Sequence, residues 1–182
     1  MKSANQLSFQ ETVQGLIAGD FSRLAPLFDA PDNAACPIIN WYEAGLFTAE
    51  PKALEEAFTC ACFNGKLDVV RYLLAKQVDP SGGANTGLNA VHWAANRGQL
   101  DVVKLLLSHE PNIETRNMYG GTVLGATVWA SANETRPTHP EIVAALIDAG
   151  ADLSEAEYPS GNQAVDEILE RHLRSKSNQA DA

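Results

Sequence analysis

Cysteine and histidine are the side chains of this sequence best suited to covalent or metal chemistry. They are Cys36, Cys60 and Cys62, with four scattered histidines that include His92 and His139. A Cys-His pair works as a nucleophile when the thiol can pass its proton to an imidazole that a third group orients. Stacking of successive segments would bring Cys60 and Cys62 near His92, but no orienting group is apparent, so inert buried thiols are expected. Cys60-x-Cys62 lacks a second ligand pair at metal spacing, so neither a metal nor a cofactor is expected. An enzyme using a Cys/His site, or one centred on Cys36, Trp41, Tyr42 and Glu43, is the weaker alternative. Ser81-Gly82-Gly83-Ala84 has glycines that serve a turn rather than a phosphate cradle. Asn133-Glu134-Thr135 matches a glycosylation sequon, without any export signal to make use of it. No catalytic residue is therefore expected.

Composition bounds the elements that could hold such residues. A chain of 182 residues, 45% of them hydrophobic, can bury a substantial core as one domain or as a short solenoid. Three cysteines are too few for a disulfide scaffold and suit a reducing compartment. Residues 1–6 lack the apolar centre of a signal peptide, and no stretch approaches the roughly 18 apolar residues of a membrane span. These features predict a soluble cytoplasmic protein, expected to be a monomer. The formal charge of −10 repels phosphate, so partners among nucleic acids and anionic membranes are not expected. The acidic residues are spread along the chain and read mostly as a solvated face.

A repeat organises the chain. The segment 89–107 overlays 56–74 without a gap: Gly98 falls on Gly65, Leu100-Asp101-Val102-Val103 on Leu67-Asp68-Val69-Val70, and Leu106-Leu107 on Leu73-Leu74. The step from Gly65 to Gly98 sets the period, which falls in the range of helical repeat units. Each unit reads as two short antiparallel helices. The first is rich in Ala, which permits close approach, and it ends at a glycine able to take positive φ. The second has Leu100, Val103, Leu106 and Leu107 on one face at spacings of three and four.

These residues resemble the ankyrin-repeat family. Asn89-Ala90-Val91-His92-Trp93-Ala94 is similar to a degenerate form of its Thr-Pro-Leu-His-x-Ala signature, and Gly-x-Leu-Asp-Val-Val-x-x-Leu-Leu in two units to its second helix. A third unit starts at Gly120-Gly121-Thr122-Val123-Leu124, yet the step from Val103 to Val143 exceeds the Gly65-to-Gly98 period by seven, an insertion expected within 132–138. The resemblance implies an all-α solenoid of helix-turn-helix units with short β-turn fingers. The expected layout is irregular amino-terminal cap helices over 1–52 and repeats over 53–155, divided near 53–85, 86–118 and 119–158. A closing helix over 159–173 and a disordered tail over 174–182 complete it. The signature His is absent at Thr59 and Gly125, and no unit keeps the Pro, which points to weaker stitching between units.

The family's fingers and exposed first-helix positions form its binding surface. Carried onto this sequence, the fingers contribute Asn85 and Thr86, Met118 and Tyr119, and Tyr158. The first helices contribute Phe63 and Asn64, Asn96 and Arg97, and Trp129. Aromatic residues and Met at solvent-facing positions match the types that dominate interface energetics; the alternative is that Trp129 packs under the seven-residue insertion and Tyr158 folds back on its own turn. Trp93 is expected in the core between units, while Trp41 and Tyr42 either cover the first unit's apolar face or extend the groove at the amino-terminal end. The resulting expectation is a non-enzymatic module that binds another protein, as an adaptor or scaffold. A sharper alternative is an acidic inhibitor or immunity-type protein that covers a basic toxin or enzyme, with charge from Glu114, Glu155 and Glu157.

Overall fold

The computed structural model describes residues 7–29 and 36–180. The amino-terminal residues 1–6, part of the 1–52 cap segment at 30–35, and 181–182 at the end of the tail lie outside the described residues. Among the described residues the regular structure is helical: α1 (Phe9–Ala18), α2 (Phe21–Leu24), α3 (Pro37–Glu43), α4 (Pro51–Phe63), α5 (Leu67–Ala75), α6 (Ala90–Asn96), α7 (Leu100–Leu107), α8 (Val123–Asn133), α9 (His139–Asp148) and α10 (Gln163–Ala180). Short 3-10 turns occupy Ala25–Phe28, Leu46–Ala49 and Leu153–Glu155.

The helices stack in two layers. In the inner one α4 packs on α6 and α6 on α8, while α5, α7 and α9 follow one another behind them. Ala57, Ala61, Ala90, Ala94 and Ala95 are fully buried, and these small side chains let the inner helices approach closely. The outer stripes supply bulk: Val70, Leu73, Val103, Leu106, Val143 and Leu146 are also fully buried. Gly65 and Gly98 take φ of 67° and 72°, the left-handed conformation that turns the chain from each inner helix into its outer partner. At the ends, α1 packs on α4 and α10 on α9. The 18-residue α10 carries Glu170–Arg174 and Gln163–Glu167 contacts four residues apart. Such pairs support a helix on its exposed side, and α10 continues through Ala180 where a disordered tail was expected from 174 onward.

Capping shows why the units are similar but not identical. Asn89 and Thr122, one period apart, each accept a backbone N–H three residues on, from His92 at 3.0 Å and Gly125 at 3.2 Å. The equivalent residue of the first unit, Glu56, lies inside α4, which begins at Pro51. Glu56 is 1% exposed, and its Oε1 accepts the Asn85 N–H at 2.8 Å, so a helix-capping position has become a tie to the next finger. Burial raises its pKa.

Two histidines stitch the stack. His92 places Nδ1 2.7 Å from Asn89 Oδ1 and Nε2 3.2 Å from the Gly121 carbonyl of the next finger. His139 accepts the Arg136 N–H at Nδ1 (3.1 Å) and donates from Nε2 to the Asn96 carbonyl of α6 (3.1 Å). Where the first unit lacks the signature His, Thr59 Oγ1 donates to the Gly83 carbonyl at 3.3 Å. Substituting His92 by Ala leaves Asn89 and Gly121 short of a partner and opens a cavity, with an expected loss of about 1–3 kcal/mol in chemical denaturation.

Burial lowers the pKa of both histidines from 6.5. Because the folded values lie below the unfolded one, each contributes stability that is complete above pH 6.5 and is lost as pH falls through its folded value. The shifted Glu56 acts in the opposite direction. The melting temperature of a His92→Gln, His139→Gln variant should therefore fall less than that of the parent between pH 7.5 and 5, about the upper and lower limits of histidine titration. Parallel curves would show that these rings are not the groups responsible.

Candidate functional site

Met118, Tyr119, Trp129 and Tyr158 are 66%, 80%, 52% and 48% exposed, more than any other large apolar residue described. Local bonding explains why two of them stand out. Asn117 Oδ1 accepts the N–H groups of Tyr119 and Gly121 at 2.9 and 3.0 Å, closing a tight turn that projects Tyr119. Met118 N–H donates to the Gly87 carbonyl at 2.8 Å, joining neighbouring fingers. Trp129 lies one period beyond Asn96 and two beyond Phe63, on the solvent side of α8.

Other expected surface residues are committed to structure. Phe63 is half-buried, edge-on to Phe21 and Trp93 with centroids 5.6 and 5.1 Å away, and the Arg97 guanidinium covers its ring at 4.7 Å. Asn64, also half-buried, donates to the Phe21 and Cys60 carbonyls. These two were expected to face solvent; the amino-terminal Phe21, whose role no repeat pattern signals, covers them. Asn85 is exposed but donates to the Ile17 carbonyl at 2.9 Å, and half-buried Thr86 accepts the Trp93 indole N–H at 3.0 Å. Trp93 thus packs in the Phe21–Phe63 cluster with its edge tied down. Phe9 joins Trp41 and Phe47 at the amino-terminal end, and Tyr42 stands edge-on to Tyr72.

Trp93 and Asn96 of α6 form one wall of a groove of about 660 Å³. Trp129 and the small residues Gly125 and Ala126 of α8 form the opposite wall. Tyr119 closes one edge, while Glu134, Glu155 and Glu157 bring carboxylates. The repeat pattern gave no sign that these carboxylates meet, because Glu134 follows the lengthened α8 and the other two follow α9. Arg116 pairs with Glu155 through two 2.8 Å hydrogen bonds and lowers its pKa. Glu114 accepts the Asp152 N–H at 2.9 Å, so two of the three acids expected to supply free charge are engaged within the chain.

The cysteine chemistry does not assemble. All three thiols are buried, and Cys36 and Cys60 donate to the Leu27 and Phe21 carbonyls. Burial pushes the Cys60 and Cys62 pKa values far up, away from thiolate. His92 faces Asn89 and Gly121 rather than a thiol. Among the described residues, no group of His, Cys, Asp and Glu is placed to hold a metal ion, and no helix is long and apolar enough to cross a membrane.

A family model described as ankyrin repeats (3 copies) matches residues 35–117 and 58–157. A putative ankyrin repeat protein of Pyrobaculum aerophilum is 38% identical over 79 residues, which are 43% of this chain and 29% of that protein. A palmitoyltransferase of Lachancea kluyveri is 33% identical over 72 residues, 39% of this chain and 10% of that protein. The chain thus matches less than a third of the length of either relative.

Gly125 sets the groove's geometry. A Cβ there would lie 2.6 Å from the Glu155 carbonyl oxygen, so the Leu153–Glu155 turn can close on α8 only without a side chain. Gly125→Ala should displace that turn and cost about 1–3 kcal/mol by thermal denaturation. Gly121→Ala, whose nearest neighbours would be 3.5 Å away, should cost much less.

Proposed function

Because the chain belongs to the ankyrin-repeat family, we propose that it is a non-enzymatic module that binds another protein through the fingers and inner helices of its second and third units. Ankyrin repeats are in general protein-interaction modules, and the family is generally non-enzymatic. The observation that carries the reading is the grouping of exposed large apolar residues. Met118 and Tyr119 share one finger, Trp129 and Tyr119 line one groove, and Tyr158 follows Glu157 at that groove's rim. Large aromatic groups left in water favour association, since burying them returns apolar area and ring contacts together.

In this reading the residues that contact the partner are Met118, Tyr119, Trp129 and Tyr158. Asn96 and Arg97 border the contact, whereas Phe63, Asn64, Asn85 and Thr86 hold the face in shape. The chain works as a cytoplasmic monomer without a cofactor. The inhibitor alternative draws on the net charge of −10, but with Glu114 and Glu155 engaged internally its charge comes from elsewhere on the surface. The adaptor reading needs no such charge.

Affinity capture compares the parent with a Tyr119→Ala, Trp129→Ala, Tyr158→Ala variant and with an Arg71→Ala, Lys104→Ala variant on the outer helices. A protein held by the parent and the outer-helix variant should be lost from the triple variant, which keeps its helical circular dichroism. Affinity measured with that purified protein should fall about 100-fold or more. Equal retention by all three would show that a different face is used.

A further inference from the structure

The groove between α6 and α8 is acidic as well as aromatic. Three carboxylates line it, and none of its lining residues is Lys, Arg or His. Arg116 neutralises Glu155, but among the described residues Glu134 and Glu157 have no ion-pair partner. Two negative charges therefore border the Trp129 and Tyr119 rings, whose faces attract cations through their quadrupoles.

The repeat register points to the same groove. Phe63, Asn96 and Trp129 are successive equivalents, each one period after the last. At the first of these positions the chain supplies its own cation, with the Arg97 guanidinium lying 4.7 Å from the Phe63 ring centre. At the third, the ring is half exposed and no cation of the chain covers it among the described residues. The open ring therefore offers the same contact that Phe63 makes with Arg97, now beside unpaired carboxylates.

We propose that this groove receives an arginine side chain of a partner protein, its guanidinium stacked on Trp129 and paired with Glu134 or Glu157. Arginine fits better than lysine because a planar guanidinium can stack on a ring while its N–H groups donate in plane to carboxylates. The inference rests on the proposed interaction face and narrows what that face recognises.

The test uses the full chain labelled with ¹⁵N and two blocked peptides, acetyl-Gly-Gly-Arg-Gly-Gly-amide and its norleucine counterpart. The Trp129 and Trp93 indole N–H resonances should shift saturably with the arginine peptide, while that of Trp41 stays in place. Binding of the norleucine peptide should be about tenfold weaker or undetectable. A Glu134→Gln, Glu157→Gln variant, altered only at exposed side chains, should bind the arginine peptide about fivefold or more weakly. Equal response to both peptides, no response of Trp129 to the arginine peptide, or indifference to the double substitution would overturn the proposal. If the aromatic triple variant loses its captured protein while the arginine peptide leaves Trp129 unmoved, the interaction face stands and the arginine assignment falls.

Discussion

The close stacking of α4, α6 and α8 is the contact on which the rest of this molecule depends. A pair of short helices cannot bury its own apolar face, so each unit is completed by its neighbours and the core becomes continuous along the stack. Alanine at the inner positions permits the approach, and the bulk lies behind it in the Leu and Val stripes. The polar stitches serve the same contact. A carbonyl brought against a buried helix must find a donor; Thr59 meets one finger carbonyl between the first and second units, and His92 and His139 meet a finger and a helix-end carbonyl between the second and third.

That constraint also explains why the proposed binding face lies where it does. With one side of every inner helix spent on its neighbours and another on its outer partner, only the remaining edge and the fingers are left to differ between units. In the first unit the edge is closed: Phe21 packs edge-on against Phe63 and Arg97 covers its ring. In the third it is open, with Trp129 half exposed. One register position thus serves cohesion at one end of the stack and is left open to solvent at the other.

The helical class, the repeat period, the glycine turns and the exposure of Met118 and Tyr119 were legible in the sequence. They follow from local periodicity and from a register that repeats. The fates of Phe63 and Asn64 were not, since the helix that covers them begins at Phe21, far upstream in the chain, and obeys no repeat. Nor was the tie between Glu56 and Asn85. Nor was the helix at 174–180, because a polar segment with few apolar residues can still be helical when it continues an anchored helix.

By itself the sequence determined the unit, since side-chain size and spacing within one period dictate which faces of two helices must be buried. It also determined that thiols flanked by small packing residues would be enclosed. Only the tertiary structure decided what the exposed positions amount to. Whether Trp129 stands open or capped, and which of three glutamates keeps a free charge, depends on where the Leu153–Glu155 turn closes against Gly125 and on which cation reaches which carboxylate. Those contacts join parts of the chain that belong to different units, a separation over which local propensity carries no information.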